Sequence, residues 1–238
     1  MIDTHCHLLS GVDDGPRNLQ GSVELARALA EAGVHTVVCT PHFSRRYPTD
    51  RAVARQRLDL LEGELKPAGV ELDLRLAAEI SSAAALEAPA EELRARRLGE
   101  RYLLVELEPD TPAAAVELVL DRVREVGLMP IFAHPERCRA VRSQPHVLDD
   151  ARAAGAPVQV VAQSLSGRWG EEIERSAWQL IESARVDLFA SDAHRAKQAG
   201  ERLRATLSTL VERFGDTALR VLTDVNPRQL IDPGWGFE

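Results

Sequence analysis

The sequence predicts an α/β fold in which parallel strands close into one barrel, a single domain spanning residues 1–238. Three observations favour this fold class. Seven short segments rich in apolar and β-branched residues run into polar residues, and each is followed by a stretch of helix length with apolar residues at helical spacing. Such alternation is typical of parallel strands joined by right-handed crossovers. Seven repeats without a glycine-rich dinucleotide motif after the first strand favour a barrel over an open sheet.

The predicted strands are short, and most of them end at or beside a histidine or an acidic residue. They cover Met1–His7, His35–His42, Leu72–Ile80, Tyr102–Glu106, Met129–His134, Pro157–Ala162 and Val186–His194.

Amphipathic segments separate the strands. In the first, Ser22–Ala32, the apolar residues recur at helical spacing, and Gly33 is placed to end the helix. The C-terminal segment Asn226–Glu238 contains two prolines and two glycines, so we expect it to be irregular and to lie over the barrel. The other predicted helices are Thr49–Leu65, Pro112–Val126, Glu171–Ala184 and Gly200–Phe214.

Composition excludes several classes of function. Hydrophobic residues make up 45% and charged residues 28% of the chain, as in ordinary globular proteins. A net charge of −8 argues against nucleic-acid binding through a general basic surface. The N-terminus does not resemble a signal peptide, and no apolar stretch approaches transmembrane length. Three widely spaced cysteines fit a reducing compartment. We therefore expect a cytoplasmic protein, and the sequence leaves its oligomeric state open.

Nine side chains that can bind metal lie at or just beyond the C-terminal ends of six predicted strands. Because these ends form the functional rim of a parallel barrel, we expect the nine to converge. His5 and His7 are two positions apart on a strand, so both project from one face; Asp192 and His194 repeat this spacing. The nine are His5, His7, Asp14, His42, Glu79, Glu106, His134, Asp192 and His194.

Imidazole and carboxylate donors together suit Zn, Mn or Fe(II). Any one such residue at a strand end is more often structural than a ligand, but nine at one rim favour a metal site. Asp13 complicates the assignment of Asp14, since Val12-Asp13-Asp14-Gly15 can equally be an acidic turn in which one carboxylate caps the following helix. His35 and His146 lie outside this pattern, and we expect them at the surface.

Five motifs carry a family resemblance: Ile2-Asp3-Thr4-His5-Cys6-His7, Gly11-Val12-Asp13-Asp14-Gly15, Cys39-Thr40-Pro41-His42, Ala133-His134-Pro135-Glu136-Arg137 and Ala190-Ser191-Asp192-Ala193-His194. Together they resemble the PHP (polymerase and histidinol phosphatase) superfamily, and within it the capsular-polysaccharide, CpsB-like, bacterial protein-tyrosine phosphatases. The Asp-Asp-Gly and His-Pro-Glu-Arg segments single out that branch.

The resemblance implies a distorted, TIM-like (β/α)7 barrel of the PHP type that holds three divalent metal ions, namely manganese, iron or zinc. It assigns the ligands in three sets, with Glu79 bridging the first two. The sets are His5, His7, Glu79 and Asp192; then Glu79, Glu106 and His134; and then Asp14, His42 and His194.

The same resemblance implies hydrolysis of phosphotyrosine on protein by a metal-activated hydroxide. The expected partner is a bacterial tyrosine autokinase of capsule or exopolysaccharide synthesis. Arg137, Arg139 and Arg45 are candidates for binding the substrate phosphate, and His42 or His194 for proton transfer to the leaving oxygen. After His194 the chain departs from the family pattern of an asparagine followed by an arginine–proline pair. The loop that faces the substrate therefore differs from the family pattern.

Three alternatives stay open at this level. Cys39 and Arg45 fit the Cys-x5-Arg pattern of phosphatases that use a thiolate nucleophile, although the residues between them include a proline and no glycine. A metal-dependent phosphatase can instead act on a small monoester such as histidinol phosphate. Finally, a PHP-like module can serve as a non-catalytic scaffold, but such modules tend to lose ligands and this chain retains all nine.

Overall fold

Short parallel strands form the centre of the molecule. The computed structural model describes residues 1–232, and these contain nine strands that pair with one another in parallel. The strands are β1 (Ile2–Cys6), β2 (Thr36–Cys39), β3 (His42–Phe43), β4 (Asp73–Leu76), β5 (Glu79–Ser81), β6 (Tyr102–Glu106), β7 (Met129–Ala133), β8 (Val158–Val161) and β9 (Leu188–Ala190).

The strands form a three-stranded sheet in the order β1-β2-β4 and a six-stranded sheet in the order β3-β5-β6-β7-β8-β9. The two predicted strands 35–42 and 72–80 are each interrupted, which gives nine strands where the sequence predicts seven. At the first interruption the Cys6 amide donates to the Thr40 hydroxyl at 3.1 Å, and Pro41 has no amide to donate. The chain therefore leaves its first sheet at this point and joins the second.

The end of β1 lies beside the residues that follow β9. The Asp192 amide donates to the His5 carbonyl and the His7 amide donates to the Ala193 carbonyl, both at 2.9 Å. The α/β class with parallel strands is confirmed. Because the pairing gives two sheets, closure into a seven-stranded barrel stays a prediction.

Helices cover the outer faces of the strands. They are α1 (Leu19–Glu31), α2 (Arg51–Leu65), α3 (Ser82–Glu87), α4 (Ala90–Ala95), α5 (Ala114–Glu125), α6 (Arg139–Ser143), α7 (Asp149–Ala153), α8 (Ala162–Leu165), α9 (Glu171–Glu182), α10 (Ala199–Arg220) and α11 (Asn226–Ile231), with 3-10 turns at Pro135–Arg137 and Pro145–Leu148 and a π-helical turn at Val221–Val225. The five predicted helices correspond to α1, α2, α5, α9 and α10.

Local signals fix both ends of α1. The Asn18 side chain accepts from the Gly21 amide at 2.9 Å and so caps the first turn. At the other end Gly33 has φ +91°, a conformation that glycine adopts without steric cost. Its amide donates to the Ala30 carbonyl at 2.9 Å. The prediction that Gly33 ends this helix is confirmed.

The C-terminal prediction is partly wrong. Residues 226–231 form α11 instead of an irregular segment, because Leu230 is 7% exposed and packs into an inner cluster of apolar side chains. The remainder of the predicted irregular segment, residues 233–238, lies outside the described residues. The inner cluster comprises Val38, Ala77, Leu98, Leu104, Ile131, Ala133, Leu188 and Leu230.

Strand alternation separates the inner cluster from the outer core. In β6, Leu103 and Val105 pack in the outer core against the helices, whereas Leu104 packs in the inner cluster. Since alternate residues share a face, Glu106 lies on the same side as Leu104 at the C-terminal end of the strand. The inner side therefore changes from apolar to ionisable side chains at this end.

Among the helices within residues 1–232, none is both long enough and apolar enough to cross a membrane.

Candidate metal centre

β1 brings two histidines to one point inside the protein. The Nε2 atoms of His5 and His7 lie 3.2 Å apart, and both side chains are fully buried. Both nitrogens face Glu79 Oε2, at 3.3 and 3.2 Å. Each is also 3.5 Å from Asp192 Oδ1. The spacing of two along β1 thus places both imidazoles on the same side, as the sequence predicts.

The opposite ring nitrogens hold these imidazoles in place. His5 Nδ1 lies 2.8 Å from Gln159 Oε1, and His7 Nδ1 lies 2.8 Å from Asp13 Oδ2. An acceptor at Nδ1 fixes the proton there and leaves the Nε2 lone pair available for a ligand. Both histidines are therefore oriented as metal ligands are.

Asp13 orients the site and does not cap a helix. Its carboxylate also accepts from the amides of Gly15 at 2.9 Å and His42 at 3.0 Å. Burial alone would raise the pKa of Asp13, but the hydrogen bond from His7 lowers it below its ordinary value. The helix-capping interpretation of this acidic turn is wrong, because Asn18 takes that role.

Glu79 connects the first histidine pair to His134 and His42. Its Oε1 lies 2.8 Å from His134 Nε2, and its Oε2 lies 3.0 Å from His42 Nδ1. The carboxylate is 1% exposed. Burial favours its neutral form, yet the charges of His5 and His42 hold the pKa well below the ordinary value. Glu79 is therefore an anion surrounded by imidazoles.

A third group lies on the open side of the cluster. Asp14 Oδ1 is 3.3 Å from His194 Nε2 and 3.5 Å from His42 Nε2. Asp14 is 43% exposed. Burial raises its pKa, but the hydrogen bond and charge of His194 outweigh this and lower it to about 2.

Two predicted ligands adopt backbone conformations that are uncommon for residues other than glycine. His134 has φ 32° and Asp192 has φ 51°. Such positions cost on the order of 1–3 kcal/mol each and are concentrated at functional sites. In this protein both direct a side chain toward Glu79 or the His5–His7 pair.

The donors fit divalent cations. Glu79 Oε2 has no hydrogen bond of good geometry within residues 1–232, although three imidazole nitrogens lie 3.0 to 3.3 Å away. Burial and Glu79 raise the pKa of Glu106 to about 7, so a cation would relieve the repulsion between the two carboxyl groups. Four groups have ligand atoms within 4.8 Å of one another: His7, Asp14, His42 and His194; His5, Glu79 and His134; His5, His7 and Asp192; and His42, Glu79 and Glu106.

The structure thus brings all nine predicted ligands together. The three sets implied by the family resemblance correspond to these groups with small differences. His5 also lies with Glu79 and His134, His42 also lies with Glu79 and Glu106, and His7 also lies with the third set.

Arg137 lies in direct contact with one member of this cluster, Asp192. Its Nη2 donates to Asp192 Oδ2 at 2.5 Å, and its guanidinium lies 4.9 Å from the ring centre of Trp169. A mouth of about 400 Å³ opens above the cluster. Its lining includes Arg45, Tyr47, Arg137, Trp169 and seven of the nine predicted ligands.

The other predicted arginines lie farther out. Arg45 lines the mouth but is 81% exposed and donates to Glu87 at 2.7 Å. Arg139 pairs with Asp110 at the surface and does not line the mouth. Arg139 is therefore not placed to bind phosphate at the cluster, because its guanidinium faces an exposed carboxylate.

The Cys-x5-Arg alternative finds no support. Cys39 is fully buried in β2, and burial raises the pKa of its thiol. Arg45, the other member of the pattern, points to Glu87 at the surface. The thiol therefore has neither exposure nor an arginine partner.

Sequence patterns missed the residues that support the ligands. Gln159 lies within β8 and gives no motif, although a buried glutamine on the inner face of a strand is a sign of such a role. Trp169 lies in the turn after α8 and is 47% exposed at the mouth. The available signal was a tryptophan next to an arginine within the glycine-flanked stretch Gly167-Arg168-Trp169-Gly170. His35 and His146 are at the surface, as predicted.

Comparison with known proteins gives concordant results. Residues 1–232 match the family model described as capsular polysaccharide synthesis, CpsB/CapC. The chain is 31% identical over 227 residues to the tyrosine-protein phosphatase YwqE of Bacillus subtilis, covering 94% of this chain and 89% of that protein. It is 30% identical over 196 residues to the putative tyrosine-protein phosphatase CapC of Staphylococcus aureus, covering 82% of this chain and 77% of that protein.

A solved structure has the same fold. It comes from work on YwqE of Bacillus subtilis and CpsB of Streptococcus pneumoniae, described as unique metal-dependent tyrosine phosphatases. The TM-score is 0.84 at 28% identity, covering 97% of this chain and 94% of the other. The predicted CpsB-like relationship is confirmed, and the chain belongs to the CpsB/CapC family of capsular polysaccharide synthesis proteins.

Proposed function

We propose that this protein is a metal-dependent phosphatase that hydrolyses phosphotyrosine on protein. One observation carries the proposal: nine histidine and carboxylate side chains converge beneath a mouth that also contains Arg137. The relatives named as tyrosine-protein phosphatases support the reaction class and the substrate.

The proposed ligands are the nine residues predicted from the sequence, and the proposed cofactors are three ions of manganese, iron or zinc. These metals accept mixed imidazole and carboxylate donors. Bound divalent ions would supply a nucleophile from water at neutral pH and would neutralise charge on the phosphoryl oxygens.

Arg137 would hold the substrate phosphate. It is 14% exposed, and its bond to Asp192 fixes the guanidinium at the base of the mouth. A planar guanidinium donates two parallel hydrogen bonds to phosphate oxygens. Arg45 lines the outer mouth and would contact the substrate there once released from Glu87.

His42 and His194 are the candidates for proton transfer to the leaving oxygen. They are 15% and 21% exposed, whereas His5, His7 and His134 are at most 1% exposed. A proton donor has to reach the solvent-facing side of the scissile bond, so the two partly exposed imidazoles are better placed than the buried ones.

The proposed partner is a bacterial tyrosine autokinase of capsule or exopolysaccharide synthesis, encountered in the cytoplasm. We also propose that the two sheets form the distorted (β/α)7 barrel of the PHP type, in one domain. The hydrogen bonds between the end of β1 and the residues after β9 support that closure.

A metal-titrated assay tests the function. Chelated protein is titrated with Mn²⁺, Fe²⁺ or Zn²⁺ and assayed on a phosphotyrosyl peptide and on histidinol phosphate in parallel. We expect activity to require metal and to favour the peptide. His5→Ala and Glu79→Ala should lose at least about 10²-fold in kcat/KM, whereas the surface variant His35→Ala should retain activity.

Two results would contradict the proposal. Preference for histidinol phosphate would favour the small-monoester alternative. Binding of fewer than about two ions per chain after reconstitution, without activity, would favour a scaffold.

A further inference from the structure

A second pocket lies beside the metal centre. It has a volume of about 450 Å³, and its walls are α8, the turn at Trp169, the loop after β9 and the first turn of α10. Asp14, His194 and Trp169 line both this pocket and the mouth above the metal ligands. The two cavities therefore adjoin, and one ligand can reach both.

Four cationic side chains line this pocket, which we call the cationic pocket: Arg168, Arg195, Lys197 and Arg202. Asp14 is the only carboxylate in its described lining. The whole chain carries 37 acidic and 29 basic residues, so the local balance is opposite to that of the protein. The pocket therefore favours anions even though the molecule as a whole repels them.

The cationic side chains are not neutralised by the protein. Across residues 1–232, none of the four forms an ion pair with an aspartate or glutamate. Arg202 is half-buried and meets only the Gln198 amide oxygen, at 3.5 Å. Burial and the charge of Arg168 lower the pKa of Arg202, so two guanidiniums lie near each other without a counter-charge.

The backbone adds to the positive potential. The helix α10, which is kinked at Gly215 (φ +81°), begins in the wall of the pocket, and Gln198, which precedes it, provides no side-chain cap. Amides at the start of a helix carry partial positive charge and favour an anion within the first turn. The four side chains and this helix end therefore act on the same space.

We propose that the cationic pocket binds a second anionic side chain of the polypeptide whose phosphotyrosine occupies the metal centre. The group bound in the pocket is an oxyanion, which accepts hydrogen bonds from guanidinium and ammonium groups. It is provided by the carboxylate of a nearby glutamate or aspartate, or by a second phosphotyrosine. This inference rests on the proposed phosphatase function and deepens it, because it specifies acidic sequences around the hydrolysed residue.

Three peptides with one common phosphotyrosine test the inference. In the first the neighbouring residues are glycine and serine, in the second glutamate, and in the third one neighbour is another phosphotyrosine. We expect kcat/KM for the wild type to be about tenfold higher with the acidic peptides, the size expected of one or two charge-assisted hydrogen bonds. This preference should shrink at high salt. Whichever acidic peptide gives the larger increase in kcat/KM over the neutral peptide identifies the favoured group: carboxylate for the glutamate peptide, phosphate for the peptide with a second phosphotyrosine.

Two double variants remove the charges: Arg195→Gln with Lys197→Gln, and Arg168→Gln with Arg202→Gln. In each, the ratio of kcat/KM for acidic over neutral peptide should fall toward one. Arg204→Gln is the matched control, since Arg204 is exposed on α10 and does not line the pocket. Its ratio should equal that of the wild type.

Equal turnover of acidic and neutral peptides by the wild type would overturn the inference while leaving the phosphatase function intact. An equal loss of preference in Arg204→Gln would also overturn it, because a general charge effect would then suffice. If no peptide is hydrolysed, the phosphatase function fails, and fluorescence anisotropy with the same labelled peptides decides on the pocket. Tighter binding of acidic peptides that is lost in the double variants supports it, and equal binding overturns it.

Discussion

The Nε2 atoms of His5 and His7 face each other across 3.2 Å, with Asp192 Oδ1 3.5 Å from each. Their Nδ1 atoms are already engaged by Gln159 and Asp13. Two lone pairs at this distance repel each other unless a proton or a cation lies between them. The arrangement therefore links metal binding to the stability of the fold.

Removal of metal should lower the melting temperature. A ligand that binds only the folded state at about 100 times its Kd contributes about 2.7 kcal/mol, which corresponds to a shift of roughly 5–10 °C for a chain of this size. Differential scanning fluorimetry with chelator and with Mn²⁺ measures the shift. His5→Ala should abolish most of it, and His35→Ala should preserve it. An identical melting temperature with and without metal would contradict the link.

Loss of Asp13 should weaken metal binding although Asp13 is not a proposed ligand. Removing the partner of a ligating histidine typically costs 10- to 100-fold in affinity, and we expect about that factor for Asp13→Ala. Isothermal titration with Mn²⁺ measures the affinity. Asp121→Ala, at an exposed position of α5, is the control. Unchanged affinity in Asp13→Ala would show that the turn holds His7 by backbone contacts alone.

Substitution of Arg137 should reduce kcat/KM far more than substitution of Arg139. Arg137→Lys keeps the charge but loses the planar pair of donors, and we expect a fall of about 10²-fold in kcat/KM on phosphotyrosyl peptide. Arg139→Lys should stay within about twofold, because its partner is an exposed carboxylate. Metal content is measured in both, since Arg137 also contacts Asp192. Equal losses in the two variants would contradict the different placement of these side chains.

Cys39→Ser should retain turnover within about threefold, because the raised pKa of a buried thiol leaves little thiolate to act as a nucleophile. Its stability should fall by about 1–3 kcal/mol, the cost of burying a hydroxyl among apolar side chains. Steady-state kinetics and urea unfolding give the two values. A complete loss of turnover in folded protein would restore the thiolate mechanism.

Trp169 should contribute to recognition of the aryl group. Its indole is 47% exposed, and the guanidiniums of Arg137 and Arg168 lie 4.9 and 5.4 Å from its ring centre. An aromatic pair contributes about 0.5–1.5 kcal/mol beyond buried area. Trp169→Leu should raise KM for phosphotyrosyl peptide about fivefold, with a smaller effect on an alkyl phosphate. Trp178→Leu, on α9, is the control. Equal effects on both substrates would argue against ring contact.

Much of the fold could be predicted because the relevant signals are local. Short runs of apolar and β-branched residues identify the strands, and helical spacing identifies the five long helices. Gly33 marks the end of α1 without reference to the remaining chain. The nine ligands could be predicted because parallel strands present their C-terminal ends at one rim.

The remaining features depend on contacts between distant segments. The break at Thr40 and Pro41 requires Cys6 to arrive at the Thr40 hydroxyl. The helix at 226–231 depends on burial of Leu230 in the inner cluster. Arg139 follows His134 nearly as closely as Arg137 does, but Arg137 contacts Asp192 whereas Arg139 pairs with Asp110. Patterns along the chain do not contain this information.

The hydrogen bonds between the end of β1 and the residues after β9 have a consequence for synthesis on the ribosome. Cys6 and its neighbour Ala193 are 187 positions apart, so His5 and His7 are translated at the start and meet Asp192 only near the end. Asp13 and Glu79 are available to these imidazoles early, but Asp192 joins them only after about four-fifths of the protein has emerged. Hydrolytic competence is thus an all-or-none property of the finished polypeptide, and a chain released early would be inert.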